Sequence, residues 1–156
     1  MAADTDLSDF PVHLPTDTRW ADNDMFGHLN NAVYFELFDT AINRWIAEAT
    51  GTGPLEQSAR GVVAESSCRF ISEVGFPSSV IVGLGIERLG SKSVTYSLGL
   101  FRQTMPGELD EGDADADAVL AALGRWVHVY VDPVSRQTVP IPSAIRAALE
   151  QLTPHA

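Results

Sequence analysis

The stretch Asn30-Asn31-Ala32-Val33-Tyr34-Phe35-Glu36-Leu37-Phe38-Asp39-Thr40-Ala41-Ile42-Asn43-Arg44-Trp45-Ile46-Ala47-Glu48-Ala49-Thr50 decides the fold. Val33, Tyr34, Leu37, Phe38, Ala41, Ile42, Trp45, Ile46 and Ala49 recur at three- and four-residue spacing, the period of a helix. Glu36, Asp39, Thr40, Asn43, Ala47 and Glu48 take the complementary face. So broad an apolar stripe suits a helix largely covered by other structure. Gly51-Thr52-Gly53-Pro54 ends it, because glycine accepts the left-handed cap and proline cannot continue the helix.

Downstream the period changes to two. Strands are expected over Gly61 to Ile71, Ser79 to Leu89, Ser93 to Gln103 and Arg125 to Asp132. In the last, Val127, Val129 and Val131 share one face and Trp126, His128 and Tyr130 the other. Upstream, residues 11 to 21 read as a short edge strand containing Val12-His13-Leu14 between Pro11 and Pro15, then Thr18-Arg19-Trp20. Residues 1 to 10 are mostly small or acidic and read as a disordered lead-in. Met105 to Leu123 reads as an acidic hairpin insertion, and Ser143 as the N-cap of a short C-terminal helix ending at Leu152. One early helix followed by strands that can pair antiparallel gives an α+β protein, most economically with the sheet wrapped around the helix.

At 156 residues a single core suffices, so one domain over 11–156 is expected. The net charge of -11 argues against nucleic acid, which needs a basic face. Six of the 21 acidic residues fall between Glu108 and Asp117, leaving 15 acids against 10 bases elsewhere and room for a local anion site. Cys68 is the only cysteine and reads as a small buried hydrophobe rather than a catalytic thiol. The acidic start Met1 to Asp6 is unlike a signal peptide, and no apolar run approaches the ~20 residues of a membrane span. A cytoplasmic protein is expected.

Polar side chains crowd the segment before the helix: Asp22, Asp24 and His28, then Asn30 and Asn31. The opening Asp22-x-Asp24-x-x-Gly27 resembles a calcium loop, but Phe26 and Val33 stand where later oxygen ligands belong. Zinc would need several His or Cys ligands, and one His is present. No metal site is expected. Helix capping explains part of the cluster. A catalytic site explains more, since free N–H groups at a helix start can stabilise an oxyanion while a carboxylate attacks a carbonyl or activates water.

The segment Arg19-Trp20-Ala21-Asp22-Asn23-Asp24-Met25-Phe26-Gly27-His28-Leu29-Asn30-Asn31-Ala32-Val33-Tyr34 closely resembles the signature of the 4-hydroxybenzoyl-CoA thioesterase-like family of hotdog proteins. The resemblance extends through Cys68-Arg69-Phe70, Ser91-Lys92-Ser93-Val94, Val127 to Asp132 and Ile141 to Arg146. It implies a hotdog fold, hydrolysis of an acyl-CoA thioester, and homodimers or dimers of dimers with active sites at the subunit interface. No cofactor is implied beyond the coenzyme A carried by the substrate.

The same resemblance makes Asp24 the catalytic carboxylate, as nucleophile or as general base. It makes the Asn31 N–H the group that polarises the carbonyl, with Gly27 and His28 shaping the turn. Asp22 is expected to organise the loop, with Asn30 and Tyr34 as structural neighbours of the site. His28 fits orientation of water or thioester and a bond to backbone equally well, whereas His128 is expected to be structural. Lys92, the only lysine, is a candidate for coenzyme A phosphates together with Arg69, Arg88 and Arg146. Two alternatives are a non-catalytic acyl-thioester binding module and a hydroxyacyl-thioester dehydratase.

Overall fold

The computed structural model describes residues 4–104 and 118–153. Strand β1 (Val12–Asp17) precedes helix α1 (Asn31–Thr50), and strands β2 (Arg60–Phe70), β3 (Ser79–Leu89), β4 (Ser93–Gln103) and β5 (Ala118–Val131) follow. Helix α2 (Ser143–Glu150) is the last element of the described residues. The strands form one antiparallel sheet in the order β1-β3-β4-β5-β2, with β1 and β2 at its edges. This is the α+β hotdog arrangement that the resemblance implies.

Helix α1 buries Val33, Tyr34, Phe38, Ala41, Ile42 and Trp45, the inner part of the predicted stripe. Leu37 and Ile46 are half-buried and Ala49 is exposed, so in the single chain the sheet covers the helix on one side rather than around its circumference. Its partners include Val82 and Leu84 of β3, Leu98 and Leu100 of β4, and Trp126 and Tyr130 of β5, all in one core. At about 25 cal/mol per Å² of apolar surface removed from water, this shared face is the main force holding helix to sheet. Gly51, with φ 67°, caps the C-terminus by donating its N–H to the Ala47 carbonyl.

Four expectations need correction. The predicted lead-in is ordered near its end: Leu7–Asp9 form a 3-10 turn capped by the Asp6 side chain, and Phe10 is buried. Phe10 lies over Gly83 and Gly99, where an added Cβ would come within 2.7 and 2.9 Å of its ring, so this cavity in the sheet surface exists only because both positions lack side chains. Trp20 belongs not to the edge strand but to a second 3-10 turn, Trp20–Asp22, which leaves its ring exposed. Strand β5 begins at Ala118, seven residues before the predicted start, because Ala118, Val119 and Leu120 pair with Gln103, Arg102 and Phe101. The rest of the acidic insertion, 105–117, lies outside the described residues. Finally, Pro142 rather than Ser143 occupies the cap of α2, with no side-chain cap bond.

Strand β2 is paired only on its β5 side, and nearly all of it is exposed. Its far end, Phe70, runs into a loop that returns past the start of α1, which is how residues distant in sequence reach the segment before the helix.

Candidate active site

Residues 23 to 29 form a tight loop closed by a bridge between Asn23 and Leu29. Within it the Asp24 N–H donates to the His28 carbonyl at 2.9 Å, and the Gly27 N–H donates back to the Asp24 carbonyl at 3.1 Å. The Phe26 N–H donates to Asp24 Oδ1 at 2.9 Å, so the carboxylate is held by its own turn. Gly27 adopts φ 85°, a left-handed conformation that a side chain would strain. Two further bonds fix the loop from outside: Leu29 N–H to the Val74 carbonyl at 2.8 Å, and Phe76 N–H to Asn23 Oδ1 at 2.9 Å.

Asn30 caps α1 by accepting the Ala32 N–H on its side chain. Asn31 is the first helical residue, and among the described residues no acceptor takes its N–H. The partial positive charge of a 20-residue helix is concentrated at this end. Asp24, His28 and Asn31 together border an open cleft of about 530 Å³, with Tyr34 deeper in its wall.

The opposite wall comes from Phe70, Ile71, Ser72 and Glu73. Glu73 Oε2 lies 3.1 Å from His28 Nε2. Tyr34 packs edge-on against Phe70 with ring centroids 4.9 Å apart, and burial, then Cys68 and Glu73, raise the pKa of its phenol. Sequence reasoning missed Ser72 and Glu73. No local pattern marks them, because the strand order and the Val74 and Phe76 bonds bring them to the site.

Asp22 does not border the cleft. It is buried and accepts the Arg19 backbone N–H at 2.7 Å and the Arg19 guanidinium at 2.8 and 3.0 Å. The Arg19 hydrogen bond holds its pKa below the ordinary value, against the desolvation that raises it. Its carbonyl accepts the Asn30 N–H, coupling the carboxylate's loop to the helix cap. Cys68 is half-buried, and burial pushes its thiol pKa up to about 11, unlike an activated nucleophile.

The four candidate phosphate contacts stand apart from this cleft. Lys92 and Arg69 are exposed, on the β3–β4 turn and on β2, and Arg88 is exposed on β3. Arg146 donates to the Gly90 carbonyl at 2.8 Å and pairs with Glu150, so it braces the turn that carries Lys92. His128 lies in the core between Trp126 and Tyr130 on the inward face of β5.

The profile of the Thioesterase-like superfamily matches residues 18–149. Among solved structures, the PA5185 protein of Pseudomonas aeruginosa is 36% identical with a TM-score of 0.80, covering 96% of each chain. A 1,4-dihydroxy-2-naphthoyl-CoA thioesterase from Synechocystis is 14% identical with a TM-score of 0.74, over 90% of this chain and 96% of that one. The gentisyl-coenzyme A thioesterase BH1999 is 19% identical with a TM-score of 0.70, over 88% and 99%. At those two identities the likeness is one of fold. No curated protein matches the chain significantly. With the family profile running from the turn before the Asp24 loop into the C-terminal helix, and a relative matched over nearly its whole length, the chain belongs to the thioesterase-like superfamily of hotdog-fold proteins.

Proposed function

We propose that the protein hydrolyses acyl-CoA thioesters in the cleft before α1. The observation that carries this reading is the meeting of a carboxylate, Asp24, with the unbonded first N–H of a long helix, Asn31, on one cleft. Hydrolysis requires those two functions together: something to deliver oxygen to the carbonyl carbon, and a donor for the negative charge that develops on the carbonyl oxygen.

In the general-base form Asp24 takes a proton from water as the water oxygen bonds to the carbonyl carbon. The tetrahedral oxyanion is stabilised at the Asn31 N–H and by the helix dipole. Collapse breaks the C–S bond, releasing coenzyme A thiolate, which is protonated, and the carboxylic acid. In the nucleophilic form Asp24 Oδ attacks directly, and water then cleaves the mixed anhydride. Both forms use the same groups, and no metal or separate cofactor takes part.

The coenzyme A portion has to leave the cleft toward cations. Lys92 and the arginines at 69, 88 and 146 are too dispersed on one chain to form that grip, so a second subunit supplies part of it. We therefore place the site in a homodimer, or a dimer of dimers, formed in the cytoplasm. Among the described residues no helix is long and apolar enough to cross a membrane.

A panel of acyl-CoA thioesters followed by thiol release tests the reading. Turnover of at least one substrate that is lost in Asp24→Asn supports it, and saturable binding without thiol release would make the protein an acyl-thioester binding module.

A further inference from the structure

Tyr34 is 4% exposed and stands on α1 one turn after Asn31, on the same face of the helix. Its ring is held edge-on by Phe70, and among the described residues no group bonds its hydroxyl. Buried polar groups are nearly always hydrogen-bonded, so a phenol left open in this way points to a partner from outside the chain. Space for one is present. In Tyr96, His128 and Tyr130 every polar side-chain atom is sealed from solvent, whereas the Tyr34 hydroxyl is not, and the space that Tyr34 borders is the Asp24 cleft.

The surroundings narrow what that partner can be. Leu29, Phe70 and Ile71 make the cleft apolar around Tyr34, and its described lining holds two carboxylates, Asp24 and Glu73, with no lysine or arginine. An acyl group ending in a carboxylate would meet like charge there. A plain hydrocarbon would displace water from the phenol and leave it unbonded, which lowers affinity relative to an analogue that bonds it. Burial raises the pKa of the phenol, so it stays protonated and can both donate and accept. Its complement is an uncharged oxygen, and the three-residue step from Asn31, about 4.5 Å along the axis, sets that oxygen within the first few carbons beyond the thioester carbonyl.

We infer that Tyr34 is a specificity-determining residue, whose hydroxyl bonds an uncharged oxygen carried on the acyl group, so that the cleft selects hydroxyacyl thioesters over the matching hydrocarbon and carboxylate-ended ones. The inference rests on the Asp24 cleft as the acyl-CoA site, and it gives Tyr34 a contact with substrate rather than a place in the wall alone.

Affinity is measured by calorimetry on the full-length Asp24→Asn protein, in which slow turnover leaves the thioesters intact. The probes are butyryl-CoA, its 3-hydroxy and 4-hydroxy derivatives, and succinyl-CoA. One hydroxy derivative should bind about tenfold more tightly than butyryl-CoA, one hydrogen bond's worth, and succinyl-CoA should bind most weakly. Adding Tyr34→Phe should erase the hydroxyl preference and leave butyryl-CoA within about twofold, with thermal melting to show that the variant is folded. A crystal structure with the preferred thioester gives a reading that needs no Tyr34 variant: its hydroxyl oxygen should lie within about 3.0 Å of the Tyr34 oxygen. Equal affinity for butyryl-CoA and both derivatives would overturn the inference, as would a preference that survives Tyr34→Phe, tightest binding of succinyl-CoA, or an equal loss for every probe in Tyr34→Phe. None of these readouts needs thioester turnover. A hydroxyl preference without thiol release from any substrate would remove the hydrolase reading alone, and thiol release without the preference would remove this one alone.

Discussion

Glu73 Oε2 stands 3.1 Å from His28 Nε2, joining the loop after β2 to the turn that presents Asp24. Both side chains reach solvent, so the pair contributes little to stability, of the order of 0–1 kcal/mol. Its consequence is positional. The contact fixes one face of the His28 ring at the cleft, whatever the ring then does with water or thioester.

Replacing Glu73 with Gln keeps the size and one oxygen but removes the charge. The expected result is an unchanged melting temperature and a kcat/KM lowered about tenfold, equivalent to ~1.4 kcal/mol at the transition state. Steady-state kinetics on the best substrate of the panel checks it. Activity equal to wild type would leave the pair as surface decoration.

The two carboxylates of the Asp-x-Asp pair should separate cleanly. Asp24→Asn keeps the turn, since an amide oxygen can still accept the Phe26 N–H, and should cost about 10²–10⁴ in kcat. Asp22→Asn should cost more stability than turnover, because it breaks the ion pair with Arg19 at a buried site. The sign for pH follows. Asp22's pKa is depressed in the folded chain, so its contribution is present above the unfolded value near 3.8 and is lost as pH falls below that. Wild type should therefore lose stability below about pH 4 more steeply than Asp22→Asn, as read from denaturant midpoints. A larger kinetic defect in Asp22→Asn than in Asp24→Asn would reverse the assignment of the two roles.

Legibility in the sequence tracked locality. The period of Val33 to Trp45 was enough for the helix, and Asp22 to Asn31 lie within one loop, so their proximity is covalent. Glu73 and Ser72 reach the cleft only because β2 crosses to the sheet edge beside β5 and its trailing loop bonds to Leu29 and Asn23. Nothing in a linear pattern encodes that. The seat of Phe10 is illegible for a related reason: a lone aromatic in an acidic lead-in has no period, and its socket is made by glycines more than 70 residues away. Alternation along β5 puts His128 on the Trp126–Tyr130 face, where it is buried, but carries no information on whether its nitrogens find partners.

Burial lowers the pKa of His128, with Asp39 on α1 acting weakly in the opposite direction. The other ionisable groups around it are the phenols of Tyr96 and Tyr130 and, at the start of β2, the Arg60 guanidinium. Above the unfolded histidine value near 6.5, folded and unfolded chains both hold it neutral and it adds no pH dependence. Below that value the unfolded chain takes up a proton that the folded chain resists, so stability falls as pH drops from about 7 toward 5. His128→Leu should flatten this part of the profile. Parallel curves for the two proteins would show that His128 does not titrate differently on unfolding.

Phe10 should behave as a core residue despite its place near the start of the chain. Phe10→Ala removes the plug from the Gly83–Gly99 socket and its edge-on contact with Phe101, at 5.9 Å between centroids. Large aromatic truncations in cores cost about 3–5 kcal/mol, and a clear drop in the urea midpoint is expected with kinetics on the remaining folded protein unchanged. A midpoint within error of wild type would mean that the segment is not seated in solution.

Assembly is tested at β2. The strand offers 11 residues of unpaired edge, with Val62 and Val63 at 40% and 47% exposure, where isolated chains normally place charge, a proline or a cover. An unpaired edge this long, with two exposed valines beside the charges of Arg60, Glu65 and Arg69, is a template for another strand, and a two-fold axis lets one copy satisfy the other with the same surface. Such pairing sets the Arg60 end of β2 in one subunit beside the Phe70 end in the other, next to the Asp24 cleft, so that the partner's surface completes the site. Sedimentation at micromolar concentration should show no 16.8 kDa species. Val63→Lys, which places on the edge the charge that discourages pairing, should shift the protein toward monomer and lower turnover in parallel. A Val63→Lys protein that sediments as a monomer and keeps full activity would show that one chain holds a complete site.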